Sequence, residues 1–80
     1  EMPEMELVAD KDGGMPLAVL LRETGLAKSS SEARSFITQG AVRIDGELEI
    51  DPQYRVNSGE THVFQCGKRR FVRATLRAER

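Results

Sequence analysis

Tryptophan is absent from this chain, and tyrosine, histidine and cysteine occur once each. A lone Cys66 excludes an intramolecular disulfide and makes a reducing compartment the natural setting. One histidine with one cysteine cannot supply the ligand set of a zinc site, so Cys66 reads as a small residue in the turn before Gly67 and His62 as a surface or edge residue of a strand. The longest apolar run, Leu17 to Leu21, is far short of the ~20 residues that span a bilayer, so no membrane partner is expected. The N-terminal stretch is acidic, unlike a secretory leader, and a cytoplasmic location is expected. Glu1 stands where an initiator Met would, which fits an excised fragment. With Phe36, Tyr54, Phe64 and Phe71 as the whole aromatic set, stacking platforms are scarce and these rings read as core, Tyr54 being the one with a wet edge.

Eighty residues bury only about 60% of the surface of their unfolded chain, which leaves marginal stability and little volume for an active site. A self-contained enzyme is therefore not expected. Gly13-Gly14 reads as a turn or hinge after Asp10-Lys11-Asp12, and no Gly-rich phosphate cradle is present.

The net charge of −1 conceals a strong asymmetry. Residues 1–14 carry five carboxylates against Lys11, a net −4, while residues 15–80 carry eleven cations against eight anions, a net +3. In the last fifteen residues Lys68, Arg69, Arg70, Arg73, Arg77 and Arg80 face only Glu79. That excess is an electrostatic footprint for a polyanion, although a solvated charged face has the same composition.

Local signals mark the elements. The spacing of Leu17, Leu20 and Leu21 predicts a helix over Pro16 to Thr24, with Pro16 at its first position and Gly25 just past its end. Ser29 and Glu32 form a capping box for a second helix, whose stripe is Ala33, Phe36 and Ile37 and whose αL terminator is Gly40. Arg34 lies one position off that stripe and points outward. Val42-Arg43-Ile44 alternates as a strand, and Asp45-Gly46 is a strong hairpin signal. Glu47, Glu49 and Asp51 then alternate with Leu48 and Ile50, the pattern of a half-buried strand, with no acid/base pair in it. Thr61–Phe64 and Phe71–Ala74 read as strands around Gln65-Cys66-Gly67-Lys68, so that Lys68, Arg69 and Arg70 fall at a hairpin tip and its descending strand. Met5 and Leu7, alternating with Glu4 and Glu6, suit a short edge strand.

The stretch G-L-A-K-S-S-S-E-A-R, followed by I-T-Q-G-A-V-R-I-D-G and D-P-Q-Y-R-V-N-S-G-E, resembles the small RNA-binding domain named after ribosomal protein S-four, with its alpha-L RNA-binding motif. The acidic lead M-P-E-M-E-L, the entry M-P-L-A-V-L-L-R-E-T-G-L and the hairpin H-V-F-Q-C-G-K-R-R-F-V-R look like the C-terminal end of the bacterial tyrosyl-tRNA synthetases. The resemblance implies an α+β fold, two short helices packed on a small, mostly antiparallel twisted sheet, with residues 1–14 an acidic linker carrying a possible edge strand and residues 15–80 the RNA-binding domain. It also implies a tRNA-binding appendage that contacts the anticodon stem and long variable arm of tyrosine tRNA. Aminoacylation would fall to a separate catalytic domain of the same polypeptide, which uses ATP and belongs to a homodimeric parent enzyme. No catalytic residue, metal or cofactor is expected in this chain itself.

Carried over by position, Lys28, Ser29, Ser30, Ser31 and Arg34 form the contact surface at the start of the second helix, Ser29 doubling as N-cap. Arg43, Lys68, Arg69, Arg70 and Arg73 widen the cationic face. Ser30 is neutral where many relatives carry Arg or Lys, which shifts weight to Lys28 and Arg34; Thr38 and Gln39 are neutral likewise. Recognition then rests on shape and phosphate contacts. Two other readings stay open: the same domain serving a pseudouridine synthase, an RNA methyltransferase or a ribosome-associated factor, and a protein-docking module with a basic hairpin.

Overall fold

A computed structural model describes residues 2–78. The chain runs β1 (Glu4–Val8), β2 (Gly14–Pro16), α1 (Leu17–Glu23), α2 (Ser30–Thr38), β3 (Val42–Ile44), β4 (Glu47–Leu48), β5 (Arg55–Asn57), β6 (Thr61–Cys66) and β7 (Arg70–Arg77). Five strands form one sheet in the order β1-β7-β6-β3-β4, and β2 pairs with β5 in a separate two-stranded ribbon. Every pairing is antiparallel except that of β1 with β7. The fold is thus α+β with a mostly antiparallel sheet, as the sequence predicts.

Side-chain alternation gives the sheet two unlike faces. Val42, Ile44, Phe64, Cys66, Val72, Ala74 and Leu76 are buried and join Leu17, Leu20, Leu21, Ala33 and Ile37 of the helices in one core. Phe36 is only half-buried at the margin of that core. The opposite face presents Arg43, Arg73 and Arg77 to solvent.

Short-range chemistry sets both ends of α2, whereas the start of α1 depends on a distant strand. Ser29 is the N-cap of α2, its Oγ accepting from the Glu32 N–H at 3.0 Å, while the Glu32 carboxylate accepts from the Lys28 N–H at 2.7 Å. Gly40, at φ 78°, ends α2 in the left-handed region that favours glycine. Pro16 is the N-cap of α1, with ψ 139°, and not its first helical residue, because it is still paired with Arg55 in the β2–β5 ribbon. The first N–H of α1 is satisfied from that ribbon's side: Leu17 N–H donates to the Tyr54 carbonyl at 2.8 Å. Asp45 and Gly46, at φ 53° and 87°, make the two-residue turn between β3 and β4.

Three other expectations change. Cys66 is not a turn residue; it closes β6 and is 5% exposed, because the β6–β7 ladder continues to the Cys66–Arg70 pair. Glu47 to Asp51 is not a half-buried strand. β4 has two residues and lies at the sheet edge, where no layer covers it, so Leu48 and Ile50 are 51% and 59% exposed. The segment after Val8 is a bonded turn and not a loose connection: Asp10 exchanges backbone hydrogen bonds with Gly13 and Gly14, and its carboxylate pairs with Arg55 at 2.9 Å.

Candidate nucleic-acid interface

The ten residues singled out in the sequence divide into three groups. Lys28, Ser29, Ser30, Ser31 and Arg34 lie at the α1–α2 junction and on the outward side of α2, all exposed except Ser30, which is partly so. Ser30 and Ser31 occupy the first turn of α2, whose N–H groups have no partner inside the helix. The Glu32 carboxylate bonded to Lys28 N–H places an anion at the same helix end, so attraction of phosphate there depends on cationic side chains and not on the helix terminus alone.

Lys68, Arg69 and Arg70 form the second group, at the β6–β7 hairpin tip. The fold brings this tip to the helix junction. Arg70 Nη2 donates to the Gly25 carbonyl at 2.7 Å, across 45 residues of sequence. Gly67 N–H donates to the Ala41 carbonyl at 2.9 Å, tying the tip to the segment that leaves α2. Cys66 registers the same proximity: burial pushes its thiol pKa up, Arg70 pulls it down and Glu32, from the first turn of α2, pushes it up again. A shallow groove of about 330 Å³ beside this contact is lined by Thr24, Gly25 and Leu26 after α1, by Arg69 to Val72 of the hairpin and by Pro3.

Arg43 and Arg73 are the third group, and the fold does not bring them to the junction. They lie on the sheet face away from the helices. Arg43 Nη1 donates to the Gly46 carbonyl at 3.1 Å, and Arg73 faces Glu4 of β1 at 3.9 Å. Arg77 likewise faces Glu6 at 3.4 Å. The acidic lead therefore offsets the basic strand it pairs with.

The sequence reading passed over Arg22. It stands in the last turn of α1, and its Nη1 donates to Ser30 Oγ at 3.2 Å while Nη2 pairs with Glu23 at 3.0 Å. Arg22 thus brings a positive charge to the position where Ser30 itself is neutral. The available signal was a basic residue at the C-terminal turn of a helix that hands over directly to the contact surface.

Charge is also polarised along the strands. His62 sits between Asp45, at 2.5 Å from Nδ1, and Glu60, at 2.8 Å from Nε2. Burial alone would depress the His62 pKa, but the bonds and charges of Asp45 and Glu60 together raise it. Asp45 is held below the usual carboxylate range by the Val63 N–H and then by His62, and Glu60 chiefly by His62. This carboxylate-rich end lies about 16 Å from the basic tip, five residues along β6 at ~3.3 Å each. The two ends of β6 therefore differ in the charge they present.

A small α+β scaffold whose helix junction meets a basic hairpin tip is the architecture of a small RNA-binding domain. The chain belongs to the S4 domain family: the S4 domain model matches residues 15–62, from the entry to α1 into β6. The relatives extend the similarity beyond that span. The tyrosine-tRNA ligase of Methylococcus capsulatus is 44% identical over 71 residues, which is 89% of this chain and 18% of that protein. That of Nitrosospira multiformis is 41% identical over 80 residues, 100% of this chain and 20% of that protein. Tyrosine-tRNA ligase 2 of Vibrio parahaemolyticus is 44% identical over 77 residues, 96% of this chain and 18% of that protein. The chain spans about one-fifth of the length of these curated relatives and corresponds to their C-terminal part. Their catalytic region lies outside it. No helix among the described residues is long and apolar enough to cross a membrane.

Proposed function

We propose that this chain is the tRNA-binding appendage of a tyrosine-tRNA ligase, gripping the anticodon stem and long variable arm of tyrosine tRNA. Residues 1–14 serve as its acidic lead and residues 15–80 as the binding unit. Activation of tyrosine with ATP falls to a catalytic domain elsewhere in the same polypeptide, in a cytoplasmic homodimer. The observation that supports this reading is the meeting of the basic hairpin tip with the α1–α2 junction, where Arg70 bonds the Gly25 carbonyl and Arg22 bonds Ser30. Arg43 and Arg73, on the far face, act as long-range attraction and not as direct contacts. The tRNA's size and charge suit a module that reads backbone shape with few aromatic side chains.

The test is a titration of the chain with tRNA bearing a long variable arm and with the same tRNA lacking that arm, at two salt concentrations. Strong, salt-sensitive preference for the intact arm is expected. Equal binding to both would reduce the function to general RNA binding, and binding to neither would refute it.

A further inference from the structure

We propose that Arg70 is a positioning residue for RNA binding, a brace that holds the basic hairpin tip against the α1–α2 junction so that both meet one RNA backbone as a single preset surface. The proposal rests on the RNA-binding reading above. By sequence Arg70 is one of three consecutive cations at a hairpin tip, equivalent to Lys68 and Arg69 as a phosphate ligand. The structure separates them.

Arg70 begins β7, opposite Cys66, and its guanidinium donates to the Gly25 carbonyl at 2.7 Å. That distance is typical of a charge-assisted bond. Gly25 follows the C-terminal turn of α1, at φ 85°, where helix carbonyls point outward and a cation is favoured. Gly67 N–H adds a second tie, to the Ala41 carbonyl beyond the end of α2. The tip is therefore fastened to the ends of both helices. Lys68 and Arg69 are exposed and, among the described residues, bonded to no protein group. They are free to meet phosphates, whereas one arm of Arg70 is already engaged.

Without the brace the tip's cations still reach the RNA, but only after being ordered on binding. Immobilising one or two long side chains and their turn weakens binding by roughly five- to tenfold, with the number of phosphate contacts unchanged. The salt dependence of affinity separates the two roles, since its slope counts the phosphates neutralised.

The experiment measures affinity for tRNA with a long variable arm across a salt series, for the parent chain, Arg70→Met, Arg70→Lys and Arg69→Met, with 15N relaxation of Gly67, Lys68 and Arg69 in the free proteins. Melting curves confirm that each variant is folded. Arg70→Met is expected to bind five- to tenfold more weakly with the parental salt slope and a more mobile tip, and Arg70→Lys, which keeps a donor, to recover. Arg69→Met is expected to flatten the slope by about 0.7–0.9 with an unaltered tip. A slope flattened equally by Arg70→Met would make Arg70 a direct phosphate ligand and overturn the proposal, as would an unchanged affinity or an unchanged tip. A parent chain that binds no RNA would overturn both this proposal and the reading beneath it, whereas the former results would leave that reading standing.

Discussion

Replacing Gly14 with alanine isolates a purely steric demand of this fold. Gly14 is buried in β2, opposite Asn57 of β5, and does not occupy the left-handed region, so the backbone itself accepts any residue. An alanine Cβ, however, would stand 2.6 Å from the Val56 carbonyl oxygen and 3.3 Å from Arg55 Nη2. The nearest obstacle is backbone and cannot rotate away. Relief requires β2 to separate from β5, which loosens the Asp10–Arg55 pair at 2.9 Å and the Leu17 N–H to Tyr54 carbonyl bond at 2.8 Å that supports the start of α1.

Overpacking of this kind costs about 1–3 kcal/mol. Against a total stability of roughly 4–12 kcal/mol for a chain of this size, that is a substantial fraction. At about 4–8 °C per kcal/mol for a small domain, a 2 kcal/mol loss lowers Tm by roughly 8–16 °C. Thermal unfolding followed by circular dichroism reads this directly. Position 13 supplies the control: Gly13 has open space around its Cβ but sits at φ 82°. Gly13→Asn should therefore be well tolerated, because Asn enters the left-handed region readily, while Gly14→Asn should fail as Gly14→Ala does. A Gly14→Ala protein melting within a degree or two of the parent would refute the close approach of β2 to β5.

Two further predictions separate binding from stability and define a pH window. Arg34→Ala should weaken tRNA binding and flatten its salt slope with an unchanged Tm, whereas Ile37→Ala, at a fully buried position, should cost about 2–5 kcal/mol of stability; a lowered Tm with unchanged affinity for Arg34→Ala would refute its placement. The His62 pKa is raised above 6.5, so its stabilising effect is complete below pH 6.5 and is lost as pH rises through the raised value. Asp45 and Glu60 are lowered from 3.8 and 4.5, so theirs is complete above pH 4.5 and is lost on acidification through the lowered values. Together they favour the fold most between pH 4.5 and 6.5. Melting the parent and His62→Gln across that range and above it should show the parent's advantage shrinking as pH rises above 6.5, and parallel profiles would refute the bridge.

By itself the sequence determined the features whose partners lie within a few residues. The Ser29–Glu32 cap, the Gly40 terminator, the Asp45-Gly46 turn and the apolar stripes of α1 and α2 involve neighbours in the chain, so residue type and spacing suffice. Its motifs also carried the family, since the residues that make the helix–turn–strand unit are the ones that the S4 domain model matches. Tertiary structure alone decided which cations share a surface. Arg70 meets Gly25 across 45 positions, Arg22 meets Ser30 across a turn, and Arg43 and Arg73 pass to the far face because strand register sends alternate side chains to opposite sides. The same holds for what is covered: Leu48 and Ile50 carry a half-buried pattern yet stay exposed, because β4 is an edge with no layer above it. Short-range hydrogen bonding is written in local order, whereas burial and the pairing of distant charges depend on which strands become neighbours, and that is a property of the whole chain.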